Sequence, residues 1–174
     1  MDILTGEFTI IQSDLLFDEG KSLNPLIDVG QIEGGFIQGV GYVTTEELLK
    51  QQDGEAKIPG VPNGAITSVN TWKYKPPGAK TIPQQFNVHI FDNSGMERNN
   101  SKNPHLRDAV KSSKGIGEPP LVLGNTVFFA IKRAIFAFYE QQGHEGWCDM
   151  TAPATVAKIQ SACQVAIKQE DLVL

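Results

Sequence analysis

The sequence predicts one mixed domain of helices packed against strands, and three observations lead there. Its 174 residues suit a single domain or one large lobe, with 40% hydrophobic and 20% charged residues in a globular balance. A stretch of strict alternation at residues 86–91 reads as strand, and long 3.6-residue periodicities after Asp28 and after Pro120 read as helix. The net charge of −5 excludes a fold-wide attraction to nucleic acid or an anionic membrane surface, which both need a basic face. No uninterrupted apolar run approaches the roughly 20 residues of a membrane helix, and Met1-Asp2-Ile3-Leu4-Thr5-Gly6-Glu7 has neither the basic nor the apolar region of a secretory signal. A soluble, cytoplasmic chain is the expectation.

Residues 7–17 are rich in β-branched and aromatic side chains and read as one or two short strands. Asp18-Glu19-Gly20 and Asn24-Pro25 are turns by composition. From Asp28, taken as N-cap, Val29, Ile32, Phe36, Ile37 and Val40 recur at helical spacing. This helix also carries Gly30, Gly34, Gly35, Gly39 and Gly41, and each interior glycine costs up to about 1 kcal/mol against alanine. Gly30 with Gly34, and Gly35 with Gly39, make smooth faces that suit either tight packing or close approach of a ligand.

Residues 65–74 have strand character around Ile66, Val69 and Trp72, and residues 86–91 are a strand with His89 on its less apolar face. Residues 92–113 form a long polar connection, of the kind that tends to be functional. Residues 121–142 should form one largely buried helix with Phe128, Phe129 and Phe138 in the core, stopped by Gly143. Thr155 opens a last helix over residues 156–167. Cys148 and Cys163 are expected as two packed, reduced thiols. They and the scattered His89, His105 and His144 lack the spacing of a zinc or iron–sulfur site, and no protein metal ligand is predicted.

One segment does not read as packing. Ser113-Lys114-Gly115-Ile116-Gly117-Glu118-Pro119-Pro120 sets a single carboxylate between glycines, which let main chain lie against a ligand, and prolines, which fix its conformation. A rigidly held carboxylate there is a candidate general base; a helix-capping glutamate reads equally well from the residues alone.

Lys114-Gly115-Ile116-Gly117-Glu118-Pro119-Pro120-Leu121 resembles the active-site glutamate segment of the molybdenum hydroxylases of the xanthine dehydrogenase/oxidase family. Ser22-Leu23-Asn24-Pro25 followed by Gln31-Ile32-Glu33-Gly34-Gly35 is similar to the family's pterin-contacting helix. Leu4-Thr5-Gly6, Tyr74-Lys75-Pro76-Pro77 and Ala152-Pro153-Ala154-Thr155 fall in the family's order, so the resemblance covers essentially the whole chain. It implies an α+β fold with a mixed β-sheet and packed helices, residues 1–174 forming the C-terminal portion of a molybdenum-cofactor-binding domain.

By that resemblance Glu118 matches the base that deprotonates the hydroxyl on molybdenum, Gln31 matches a pterin contact, and Lys114, Gly115 and Gly117 match the loop beside the cofactor. The implied cofactor is molybdenum–molybdopterin, the implied partners a small purine or aldehyde substrate and the remainder of the molybdenum domain, and the implied parent a homodimer. The Pro119-Pro120 pair looks more like the xanthine type than the aldehyde-oxidase type. Cysteine motifs for iron–sulfur clusters, an FAD region and the substrate-clamping segments are absent from these 174 residues, and Asp18-Glu19-Gly20 replaces a more apolar family triplet. A non-catalytic binding module that keeps the fold is the competing expectation.

Overall fold

The computed structural model describes residues 1–20, 22–51, 59–91 and 115–166. The 92–113 connection, Lys114 and Ile167 lie outside the described residues. The elements are β1 (Gln12–Phe17), α1 (Pro25–Thr44), a 3-10 turn (Ala79–Thr81), β2 (Gln85–Ile90), α2 (Pro120–Leu123), α3 (Asn125–Gln141) and α4 (Val156–Ala166). The α+β balance is as expected. The sheet, expected as mixed, is among the described residues a parallel pair, β1 beside β2, with Gln12 opposite Gln85 and Phe17 opposite Ile90.

α1 begins earlier than its periodicity suggested. Asn24, not Asp28, is the N-cap: its side chain accepts from the Leu26 amide at 3.2 Å, and Pro25 takes the first helical position, where no N–H is needed. Asp28 is buried one turn in and accepts a hydrogen bond from the Ser22 hydroxyl at 2.5 Å. Ile32, Phe36 and Val40 then form a fully buried stripe. It meets Val127, Ile131, Ile135 and Phe138 of α3 and Ile159 and Cys163 of α4 in one core. Phe36 also packs on Phe86 of β2, ring centroids 5.3 Å apart.

Three expectations need correction. Residues 65–74 form no strand beyond a single antiparallel bridge, Lys50 to Ile66. The Asn70 side chain instead accepts from the amides of Trp72 and Lys73 and folds the chain into a turn, which leaves Trp72 85% exposed. The helix expected over residues 121–142 is divided at Gly124 into α2 and α3. Nor is that helix largely buried. Phe129 is 65% exposed, because two residues from both Val127 and Ile131 it falls on the opposite side of the helix, and Leu121 and Val122 are exposed as well. Pro120–Gln141 is long and apolar enough, by length and composition, to cross a bilayer, its most apolar 18-residue stretch having a mean hydropathy of 1.6. Its inward stripe is nonetheless a principal wall of the core.

The ends of the later helices follow the sequence. Gly143, at φ +64°, stops α3, and the Thr155 hydroxyl accepts from the Lys158 amide at 3.4 Å to open α4. The Ala154 amide donates to the Val43 carbonyl at 2.7 Å, tying this entry to the end of α1. Both cysteines are free and buried. Burial pushes the Cys163 thiol and the Tyr139 phenol above their ordinary values.

An alkaline weakness follows. Below the ordinary thiol value of about 8.5 both folded and unfolded chains keep the proton on Cys163. Above it the unfolded chain loses that proton first, so stability falls as pH rises. Urea midpoints measured between pH 7 and 10 should decline, and Cys163→Ala should decline less steeply. Equal slopes for the two proteins would remove Cys163 as a cause.

Candidate active-site loop and cofactor shelf

Gln31, Gly35 and Gly39 stand four residues apart and share one face of α1. Residues 117–124 run along that face in the same direction. A Cβ built on Gly35 would lie 2.2 Å from the Gly117 carbonyl oxygen and 3.2 Å from the Pro120 Cβ; one on Gly39 would lie 2.1 Å from the Leu121 carbonyl oxygen. On the other side, a Cβ on Gly124 would lie 2.4 Å from the Gly39 carbonyl carbon. Main chain therefore lies directly on main chain, and glycine is required on both sides of the contact.

The two glycine faces named from the sequence thus divide. Gly35 and Gly39 serve packing. Gly30 and Gly34 have nothing within 4 Å of a built Cβ and are exposed, leaving a bare shelf beside Gln31. Gly124 was missed as a contact residue. Its signal was a lone glycine within an otherwise apolar helical run.

Gly117 lies against Gln31, where a Cβ would come 2.8 Å from Gln31 Oε1. Gln31 is exposed, and among the described residues no hydrogen bond engages its amide. Half-buried Ile116 anchors the loop to the core, while Gly115 is exposed with open space around it. Glu118 follows, exposed, its carbonyl accepting from the Leu121 amide at 3.1 Å. The N-cap of α2 is Pro119, with no side-chain capping bond, so the Glu118 carboxylate is not a cap. Among the described residues it has no hydrogen-bond or ion-pair partner. The structure thus brings Gln31, Gly115, Gly117 and Glu118 to one edge, and Lys114 is outside the described residues. Among those residues no group of three or more His, Cys, Asp or Glu side chains is placed to hold a metal ion.

Comparison with known proteins matches residues 1–83 to the molybdopterin cofactor-binding domain family. Over 164 residues, 94% of this chain, the sequence is 42% identical to xanthine dehydrogenase from Drosophila pseudoobscura pseudoobscura. It is 39% identical over 176 residues, 99% of this chain, to probable aldehyde oxidase 3 from Oryza sativa subsp. japonica, a stretch that takes in the Glu118 loop. Over nearly its whole length the chain is similar to xanthine dehydrogenases and aldehyde oxidases. It spans 11% and 12% of the length of those two relatives. Among solved structures, a Cu,Mo-CO dehydrogenase matches 95% of this chain and 17% of its own with a TM-score of 0.63 at 20% identity. Quinoline 2-oxidoreductase from Pseudomonas putida 86 matches with a TM-score of 0.59 at 18% identity, over 90% of this chain and 16% of its own. These two show the fold.

The family's cofactor is molybdenum–molybdopterin, and the residues present fit it. Bare Gly30 and Gly34 form a surface that a flat ring can approach closely. The Gln31 amide offers two N–H donors and a carbonyl acceptor to the edge of such a ring. Gly115, two residues before the Gly117 that touches Gln31, has open main chain.

Proposed function

We propose that residues 1–174 are the C-terminal portion of the molybdenum-cofactor-binding domain of a xanthine dehydrogenase-like hydroxylase, acting on purines such as hypoxanthine and xanthine with Glu118 as general base. The observation that carries this reading is the contact of Gly35 with the Gly117 carbonyl, which holds the Glu118 loop beside Gln31.

Each residue of the edge has a task in that reaction. Gln31 and the main chain at Gly115 and Gly117 bind and orient the pterin, and Lys114 belongs to the same loop by the family resemblance. When bound, the cofactor supplies the water-derived oxygen that enters the substrate and takes up the two electrons released. Glu118 accepts the proton freed as that oxygen joins an electron-poor ring carbon. Pro119 restricts the backbone conformation at Glu118, so the carboxylate is placed before substrate arrives. Iron–sulfur clusters and FAD bind regions outside this chain, in a cytoplasmic homodimer. These 174 residues alone do not turn over, because the segments that clamp the substrate belong to the remainder of the domain.

The Pro119-Pro120 pair, which looks more like the xanthine type, supports the purine over the aldehyde. Assaying the complete enzyme with xanthine and with an aromatic aldehyde tests this directly; a preference for the aldehyde removes the purine assignment. Gln31→Ala should weaken cofactor retention by about 0.5–1.5 kcal/mol, the worth of one hydrogen bond, with little effect on folding. Molybdenum content after dialysis against a competing apoprotein measures it. Unchanged occupancy with a lowered melting temperature would make Gln31 a packing residue.

A further inference from the structure

A cavity of about 570 Å³ lies between the end of α3, residues 144–151 and α4. Small-molecule sites run from about 300 to 1,000 Å³. No residue of the cofactor shelf or of the Glu118 loop lines it. One wall is aromatic, made by Tyr139, His144 and Trp147. Apart from Lys158, α4 presents only the short side chains of Ala157, Ser161 and Ala162, which leaves room in front of the rings.

The aromatic wall is held in place before any ligand arrives. The Tyr139 hydroxyl donates to the Ala162 carbonyl at 2.9 Å, and the His144 ring stands edge-on to Tyr139, centroids 4.8 Å apart. Trp147 meets Phe136 with centroids 5.0 Å apart, and the Lys132 ammonium lies 4.9 Å above the indole. Lys132 Nζ also donates to the Met150 carbonyl at 3.5 Å, strapping residues 147–150 to α3. Neither Phe136 nor Lys132 lines the cavity, and Trp147 is 72% exposed, so much of the indole stays open on the cavity side. A large ring fixed in position and left in water is a preorganised binding surface.

Electrostatics choose what binds there. The face of an aromatic ring carries negative potential and attracts cations, indole most strongly, and this indole already holds one ammonium. Lys158 is neutralised, its Nζ 2.9 Å from Glu47 Oε1 and donating to the Pro153 carbonyl at 3.1 Å. The Asp149 carboxylate lines the cavity, is exposed, and has no hydrogen-bond or ion-pair partner among the described residues. With histidine neutral, the uncompensated charge of the described lining is negative.

We propose that this cavity binds a small organic cation, a quaternary or alkyl ammonium group, seated on Trp147 with Asp149 as its counter-charge. The Thr151 and Ser161 hydroxyls border the same space and suit a polar tail on that ligand. The site is separate from the proposed hydroxylase reaction and does not rest on it.

Choline is the probe, and the uncharged alcohol in which carbon replaces its nitrogen is the control of equal shape. The sequence has two tryptophans, so in a Trp72→Phe background the emission reports Trp147 alone. Choline should change that emission along a saturating curve, and the uncharged alcohol should bind about tenfold more weakly or less tightly still. Asp149→Asn should weaken choline by about two- to fivefold, the effect of an exposed charge pair. Ala157→Leu fills the floor and should abolish saturation, and Ser161→Leu provides the same check if the first variant does not fold. A response that stays linear in choline is collision with an exposed ring and overturns the proposal. So does equal affinity for the uncharged alcohol, parental affinity in Asp149→Asn, or saturation that survives both filling substitutions. None of these readouts needs the molybdenum cofactor, so the proposed reaction and this site stand or fall separately.

Discussion

Replacing Glu118 with glutamine in the complete enzyme is expected to lower turnover by about 10²–10⁴-fold, the usual loss when a general base is removed. Glutamine keeps the size and shape of the side chain but cannot accept the proton. The main chain holding the loop does not depend on the carboxylate: the Leu121 amide bonds to the Glu118 carbonyl, and Gly35 seats the Gly117 carbonyl. The carboxylate has no described partner to lose, so stability should change by less than about 0.5 kcal/mol, as for other exposed positions. Molybdenum content, the melting curve and kcat for xanthine should be measured on one preparation. Wild-type kcat at full molybdenum content would end the assignment of Glu118 as base. A loss of kcat matched by a loss of molybdenum would make it a binding residue.

The parts of the fold legible in the sequence were those set by one local rule. Alternation over residues 86–91 located the strand Gln85–Ile90 to within one residue, Gly143 ended α3, and Thr155 opened α4, because each depends on side chains within a few residues. Where two local rules competed, composition was a poor guide. Asp28 and Asn24 are both capping residues, and the Pro25 that follows Asn24 decided between them. Val69 and Trp72 favour strand, yet the Asn70 side chain, bonded to amides two and three residues on, took the backbone into a turn. Phe129 was misplaced for another reason. A broad apolar stripe reports what a helix could bury, and the described residues cover only part of it.

The candidate site was legible in its residues and not in its geometry. Pattern alone left Glu118 divided between a base and a cap, and the resemblance to a family weighted the first. The structure then removed the second, since Pro119 is the N-cap and no side chain caps α2. The glycines of α1 could not be sorted from the sequence, because Gly34 and Gly35 are neighbours with the same composition around them. Only the position of residues 117–124, far off in the chain, distinguishes them. Nonlocal contact of main chain with main chain leaves no trace in hydrophobic periodicity.

That distinction yields the second large expected effect, an opposite sign for adjacent substitutions. Gly34→Ala adds a methyl to open space on a helix, where alanine is favoured over glycine by up to about 1 kcal/mol, so this chain should become more stable. Gly35→Ala meets the same helical preference but puts its methyl 2.2 Å from the Gly117 carbonyl oxygen. Ordinary contacts lie near about 3.5 Å, and the obstacle is backbone on both sides, so one element must retreat by about 1 Å. Overpacking of this kind costs about 1–3 kcal/mol, which lowers the melting temperature by several degrees. In the complete enzyme the retreat displaces Glu118 from the Gln31 edge, so kcat should fall although neither residue has been touched, and misplacement of about 1 Å can cost about 100-fold. Melting curves of the two variants of this chain, and kcat of Gly35→Ala in the complete enzyme, check both claims. If Gly35→Ala melts at or above the parent temperature, the contact between α1 and the Glu118 loop does not hold the site together, and the placement of Glu118 beside Gln31 has to be abandoned.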